Sequence, residues 1–185
     1  ESFLSHMRLA AEQVGVLALQ FRGKVANVGK TMPTDDDPVH RAAAEALSDV
    51  DLAAQEIILL SLAAHFPFVR LDAEEDTPLV ERFAGNDSRY TVVIDPIDGT
   101  KNYVRGVPVW ATLISLLDGD DVVVGVVSAP ALARRWWAAK GMGAYVTDPG
   151  SPEPRRLHVS AVRALADASF SYSDAIGWAE RGAAD

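Results

Sequence analysis

The sequence predicts a layered α/β protein in which helices pack on a largely antiparallel sheet. Apolar residues recur at helical spacing up to His65, and beyond Phe68 the texture changes to short β-branched and aromatic runs punctuated by Gly, Pro and Asp. The turn sequence Asp118-Gly119-Asp120-Asp121 between two such runs places an antiparallel hairpin inside the meander. Two long helices followed by a meander belong to the α+β layered class.

The elements follow in order. Phe3, Met7, Ala10, Val14, Leu17, Ala18 and Phe21 fall at steps of three and four and draw one stripe on a first helix, which Gly23 is placed to cap. The polar stretch from Asn27 to Asp37, with the triplet Asp35, Asp36 and Asp37, reads as a solvated loop, and Pro38 can open a helix at its first position. A second helix is expected from about Val50 to Ala64, capped by Ser48 or Asp49 and ended by Phe66-Pro67. Leu52, Ile57, Ile58, Leu60 and Leu62 make it apolar all round, as for a helix buried between layers. Strands are expected at 90–94, 109–117, 122–128, 134–139 and 143–146. The Pro/Gly-rich break from Asp148 to Pro152 divides a domain of residues 1–147 from a second, partial domain over 153–185. A strand (156–159), a helix capped by Ser160 and another strand (168–173) are expected there.

Composition narrows the function. With 17 Lys+Arg against 26 Asp+Glu the net charge is −9, and no local basic run supplies the footprint that a nucleic-acid partner needs. The absence of Cys excludes thiolate metal sites and cysteine-dependent phosphatases and suits a reducing, cytoplasmic setting. No apolar run reaches the ~18 residues of a membrane span, and no signal-peptide pattern opens the chain, so a soluble protein is expected.

The densest chemical signal is Asp95-Pro96-Ile97-Asp98-Gly99-Thr100, directly after the apolar run Tyr-Thr-Val-Val-Ile. Pro96 bends the chain as it leaves the sheet, so Asp95, Asp98 and the Ile97 carbonyl can turn towards one point. Such oxygen donors suit a hard divalent cation, and with no Cys, and no His in the segment, Mg²⁺ is favoured over zinc or copper. Gly99 and Thr100 then open a short helical or turn segment whose N–H groups suit an anion, here a phosphate. The plainer reading is an Asx-type turn with two solvated carboxylates. Asp72-Ala73-Glu74-Glu75-Asp76 is a second acidic cluster, which alone reads as a solvated run. Asp49 and Asp51 are a third, which alone read as helix caps.

Taken together, Ser48-Asp49-Val50-Asp51, Ala73-Glu74-Glu75 and Asp95-Pro96-Ile97-Asp98-Gly99-Thr100 resemble the inositol monophosphatase superfamily of Mg²⁺-dependent phosphatases. The stretches 101–110 and 127–132, with Arg134-Arg135-Trp136-Trp137-Ala138-Ala139, are similar to its actinobacterial histidinol-phosphatase branch. The resemblance implies alternating helix and sheet layers. It implies that Glu74, Asp95 and the Ile97 carbonyl hold a first Mg²⁺, that Asp95 and Asp98 share a second, and that Asp51 and Thr100 orient the attacking water. Gly99 and Thr100 backbone groups would take a phosphate oxygen. The implied substrates are small phosphate monoesters, L-histidinol phosphate first and inositol-1-phosphate second, with a bisphosphate nucleotide as a third possibility. A non-catalytic phosphate- or metal-binding relative is the competing class, because the family's late Trp-Asp motif is not reached by Asp185. Asp174 is the one late aspartate near a tryptophan, Trp178, but its segment aligns better with an earlier strand-to-helix connection. Lys30 stands in the region of the family's mobile-loop lysine.

Other patterns carry less. Gly29-Lys30-Thr31 imitates a P-loop, but its upstream glycine is one residue too far and a helix precedes it. Asp95 to Thr100 also imitates the aspartyl-phosphate phosphatases, yet two residues separate the aspartates instead of one. His6, His40, His65 and His158 read as scattered. Alternation along the Trp136-Trp137 strand points one ring to the core and offers the other to a homodimer contact. Arg105, Arg134 and Arg135 are candidates for phosphate contacts or for a solvated strand edge.

Overall fold

The structure, a computed structural model, describes residues 2–25, 38–151 and 153–171, with side chains left aside at 23–25 and 38–48. Two antiparallel helices, α1 (Ser2–Val25) and α2 (Pro38–His65), cover one face of a seven-stranded sheet. The strands are β1 (Arg70–Ala73), β2 (Tyr90–Asp98), β3 (Ala111–Asp118), β4 (Asp121–Ala129), β5 (Arg134–Ala139), β6 (Gly143–Thr147) and β7 (Arg155–Leu157), in spatial order β1 to β7. Only β1 and β2 run parallel, so the largely antiparallel sheet is as expected. Their crossover passes through a 3₁₀ turn, Val80–Phe83, anchored by the buried Phe83.

The core lies between the helices and the sheet. Met7, Ala10, Ala11 and Val14 of α1 and Ile58, Leu59 and Leu62 of α2 meet Val92, Ile94, Ile114, Val126 and Trp137 from alternate strand positions. That is the period-2 set of one sheet face meeting two period-3.6 stripes. The Asp118–Asp121 turn closes the β3–β4 hairpin as its sequence indicates, with Gly119 at φ 62°.

Four local expectations are corrected. Gly23 does not stop α1, which runs to Val25; a glycine inside a helix costs about 1 kcal/mol, too little to end one that is packed along its length. The second helix begins at Pro38, not near Val50, because the Ala-rich stretch 42–46 propagates helix and leaves Asp49 and Asp51 in its interior instead of at a cap. Nor is α2 buried all round: Leu60 is 56% exposed, because only the face bearing Ile58, Leu59 and Leu62 meets α1 and β2. After β7, the expected helix and strand are replaced up to residue 171 by an exposed path with one 3₁₀ turn, Leu165–Asp167, and Val159 and Leu165 are almost fully exposed. β7 itself pairs with β6 and so extends the same sheet across the Asp148–Pro152 break.

Candidate active site

Three elements deliver the acidic residues to one end of the sheet. β1 and β2 run side by side, pairing Ala73 with Ile94, so the residues that follow each of them emerge together. Glu74 N–H donates to the Ile94 carbonyl (3.3 Å), which sets Glu74 beside Asp95. Asp51 arrives from α2, buried, while Asp49 on the same helix is exposed and points elsewhere.

The exit from β2 differs from the expected bend. The strand does not stop at Ile94 but continues to Asp98 through a bulge: Asp95 pairs with Leu113 and Asp98 with Ala111, three steps against two. The buried Thr112 hydroxyl donates to the Pro96 carbonyl (2.9 Å) and holds the extra residue in place. Gly99 then takes φ 85°, and a Cβ there would lie 3.0 Å from the Val109 carbonyl oxygen, so both backbone angle and space require glycine. A short helix, α3 (Thr100–Val104), starts from it. The Asn102 and Tyr103 N–H groups close onto the Gly99 carbonyl, so the first N–H groups of the turn point out along its axis. Tyr103 anchors the turn from below: its ring meets Trp110 edge-to-face at 5.0 Å and its hydroxyl donates to the Ala18 carbonyl of α1 (2.8 Å). Burial first, then the Asp51 charge, pushes that phenol up to about 12, so it stays a neutral donor.

The electrostatics are one-sided. Burial, and then the charges of Glu75, Glu74 and Asp95, push the Asp51 carboxyl up to about 7. Asp95 is pushed up to about 7 by burial, by a hydrogen bond shared with Glu74, and by the charges of Glu74 and Asp98, against an opposing hydrogen bond from the Ile97 backbone. None of the ion pairs formed among the described residues involves these five acids. Asp51 and Asp95 each keep a buried carboxylate oxygen, Oδ1, with no hydrogen-bond partner. Asp51 forms the floor, Asp95 is half-buried, and Glu74 and Asp98 stand exposed at the rim.

These observations test the fit to a cation. Orphaned, partly dehydrated carboxylate oxygens in an all-oxygen donor set are what a hard divalent ion satisfies. The side chains are nevertheless not drawn into a finished shell: among the described residues no three Asp, Glu or His side chains form a ready-made metal cluster. Asp95 instead lies close enough to Glu74 for a carboxyl–carboxyl hydrogen bond, which with burial and the Glu74 charge raises the Asp95 carboxyl.

A scan against family descriptions matches the inositol monophosphatase family over residues 1–182. The chain belongs to the inositol monophosphatase family. It is similar to a histidinol-phosphatase of Streptomyces coelicolor, 50% identical over 143 residues that cover 75% of this chain and 51% of that protein. Another histidinol-phosphatase, from Mycobacterium tuberculosis, is 54% identical over 114 residues, 60% of this chain and 43% of that one. Among solved structures, the extragenic suppressor protein suhB of Bartonella henselae superposes with a TM-score of 0.68 at 27% identity, covering 90% of this chain and 58% of that one. The family assignment and the layered fold thus agree with the resemblance carried by the motifs. The chain spans about half the length of the curated relatives it matches.

One residue that braces these acids escapes the motifs. Gln55 is fully buried one helical turn after Asp51, and its side-chain amide grips the backbone of Glu75 at both ends: Nε2 donates to the Glu75 carbonyl (2.6 Å) and Oε1 accepts from its N–H (3.0 Å). Its trace in the sequence is a polar residue at i+4 from Asp51 within an apolar helix. Arg134 and Arg135 reach not the acids but Asp148 (3.2 Å) and Glu12 (3.5 Å), and Arg105 is exposed. His6 and His65 are not scattered: their rings meet at 4.1 Å between centroids, tilted by 45°, where α1 begins and α2 ends, each with Nδ1 at a backbone carbonyl of its own helix. Lys30, Asp174 and Trp178 lie outside the described residues.

Proposed function

We propose that the chain carries the catalytic half-site of a Mg²⁺-dependent phosphate monoesterase, with L-histidinol phosphate as first substrate and inositol-1-phosphate as second. The observation that carries this reading is the gathering of ion-pair-free carboxyls from α2, β1 and β2 beside the glycine turn at Gly99. The histidinol-phosphatase names of the two actinobacterial relatives support the choice of substrate.

In this reading Glu74, Asp95 and the Ile97 carbonyl hold a first cation, and Asp95 and Asp98 share a second. What such cations supply when held is Lewis acidity: a water able to attack at neutral pH and neutralisation of the leaving oxygen. The chain's own residues do the positioning. Thr100 Oγ1 donates its proton to the Ile97 carbonyl (3.1 Å), which leaves its lone pairs to accept from a water. Asp51, buried on the floor of the site, accepts a hydrogen bond from the same water and orients it on phosphorus. The N–H groups of Gly99 and Thr100 take a phosphate oxygen, and the Gly99 carbonyl is already occupied, so it does not oppose that anion. In the same proposal residues 153–185 form a partial second domain whose first strand, β7, is joined to the sheet of the first, and the half-buried Trp136 makes a homodimer contact, with Trp137 committed to the core. A cytoplasmic location is part of the same proposal; among the described residues no helix is long and apolar enough to cross a membrane.

The test is phosphate release from L-histidinol phosphate, inositol-1-phosphate and an adenosine bisphosphate with and without Mg²⁺, with Asp98→Asn as control. Metal-dependent release that is fastest on histidinol phosphate and lost in Asp98→Asn is expected. Equal rates on all three substrates would remove the preference. Tight phosphate binding with no turnover at saturating Mg²⁺ would make the chain a binding relative instead.

A further inference from the structure

Away from the acids, a cleft of about 270 Å³ opens between α1 and the start of β5. One wall is apolar, formed by Val16 and Leu19 of α1 and by Pro130. The other is polar, formed by Arg134, Arg135 and the buried hydroxyl of Ser128. None of the residues that line it belongs to the candidate active site. The walls stay close because α1 presents Gly15 to Pro130, where a Cβ would come within 3.0 Å of the proline ring.

The charges in this cleft do not balance. Arg135 points Nε at Ser128 Oγ (3.5 Å) and Nη1 at Glu12 (3.5 Å), but the Glu12 side chain is 61% exposed, so solvent screens that pair. Glu12 also faces Arg8, whose guanidinium lies 3.9 Å above the Trp137 ring with its Nε buried and unpartnered. At the cleft's edge, Arg134 shares Asp148 with Arg155, at 3.2 and 2.9 Å. Four guanidinium groups therefore share two carboxylates, a local excess of positive charge on a chain of net charge −9. Convergent polar donors opposite an apolar wall are the makings of a small-molecule site, and the volume, just under the ~300 Å³ at which drug-sized sites begin, suits a smaller ligand.

We propose that this cleft binds a small organic anion, a carboxylate on an apolar body of about ten heavy atoms. The carboxylate takes Arg135 in a two-pronged hydrogen bond and displaces Glu12, which turns to solvent; the apolar body lies against Val16, Leu19 and Pro130. Glu12 is thus an internal competitor for the ligand's place, and removing its charge strengthens binding.

The probe is benzoate, with benzamide as its neutral counterpart, titrated against the intact chain in buffer free of Mg²⁺ and phosphate. The readout is tryptophan fluorescence, since Trp136 and Trp137 adjoin Arg135 on β5. A saturable change with Kd of ~1 mM is expected for so small a ligand, with no response to benzamide. Glu12→Gln should tighten the benzoate Kd by about fivefold, and Arg135→Lys should weaken it about tenfold by losing the planar fork. Arg135→Ala should abolish the response; if that variant fails to fold, Glu12→Gln and Arg135→Lys decide the matter. No saturable response in either the parent or Glu12→Gln, an equal response to benzamide, or weaker binding in Glu12→Gln would each overturn the proposal.

Discussion

At one side of the sheet, where α2 meets β1 and β2, carboxyl groups crowd together with no basic partner. Three strands away, at β5 to β7, guanidinium groups outnumber the carboxylates around them. Both regions are unbalanced in charge, yet the consequences differ because burial differs. Asp51 is 6% exposed, and dehydration leads the causes that lift its carboxyl to about 7. The outer pair of the basic side is open: Arg134 and Arg155 are 46% and 60% exposed, so water supplies there what the missing carboxylates do not, while Arg135 and Arg8 further in are less hydrated. Desolvation, more than the count of like charges, therefore sets which region stores repulsion.

The largest test of that contrast is pH. Asp51 and Asp95 have folded-state carboxyls lifted above their ordinary value of 3.8 to about 7, so between those limits the folded chain holds more protons than the unfolded one. Stability must then fall as pH rises through that window. For two groups of which one is only half-buried, the expected loss in Tm between about pH 5 and pH 8 is on the order of 10 °C without divalent cation. Asp95→Asn should flatten roughly half of that slope, raise the Tm at pH 8 and remove Mg²⁺-dependent phosphate release. Millimolar Mg²⁺ should flatten the slope of the parent chain. Thermal denaturation across the pH series checks this, and a Tm that rises from pH 5 to pH 8 would show that the acid region stores no repulsion.

The next effect comes from the one neutral side chain that organises the acids. Gln55→Ala leaves the Glu75 N–H and carbonyl without their side-chain partners in a part-buried setting. The expected cost is about 2–3 kcal/mol, read by urea denaturation, with the Mg²⁺ midpoint of phosphate release weakened about tenfold as the chain just after Glu74 loses its anchor. A stability loss with an unchanged Mg²⁺ midpoint would mean that Gln55 braces the fold without positioning the acids.

Gln55 also shows what the sequence could and could not convey. Asp95, Asp98, Gly99 and Thr100 were legible because a strand ending in two carboxylates and a glycine is a local pattern, and the strand ladder from β2 to β6 was legible because alternation is local as well. Gln55 was not, because a glutamine means something only when the backbone it will grip, twenty residues on, has been folded beside it. The bulge at Asp95–Asp98 hid for the same reason: it is held by Thr112 from the neighbouring strand, and Pro96 alone suggested a bend away from the sheet. Up to residue 171, the helix and strand expected after residue 159 failed on burial, since a periodic pattern forms an element only where a surface receives its apolar face, and among the described residues Val159 and Leu165 meet none.

The smallest expected effect lies on the basic side. Arg134→Ala removes a guanidinium that is 46% exposed and pairs with Asp148 at 3.2 Å, while Arg155 still holds the same carboxylate at 2.9 Å. Because Asp148 keeps one partner and the lost charge was hydrated, stability should change by less than ~0.5 kcal/mol, with a Tm shift under ~2 °C. The shift should shrink further at high salt, where exposed pairs are screened within a few ångströms. A loss of more than ~2 kcal/mol that persists at high salt would erase the contrast between the two regions, since it would mean that Asp148 depends on Arg134 as a desolvated partner. If the change is as small as expected, the spare positive charge beside β5 is available to a ligand at little cost to the fold.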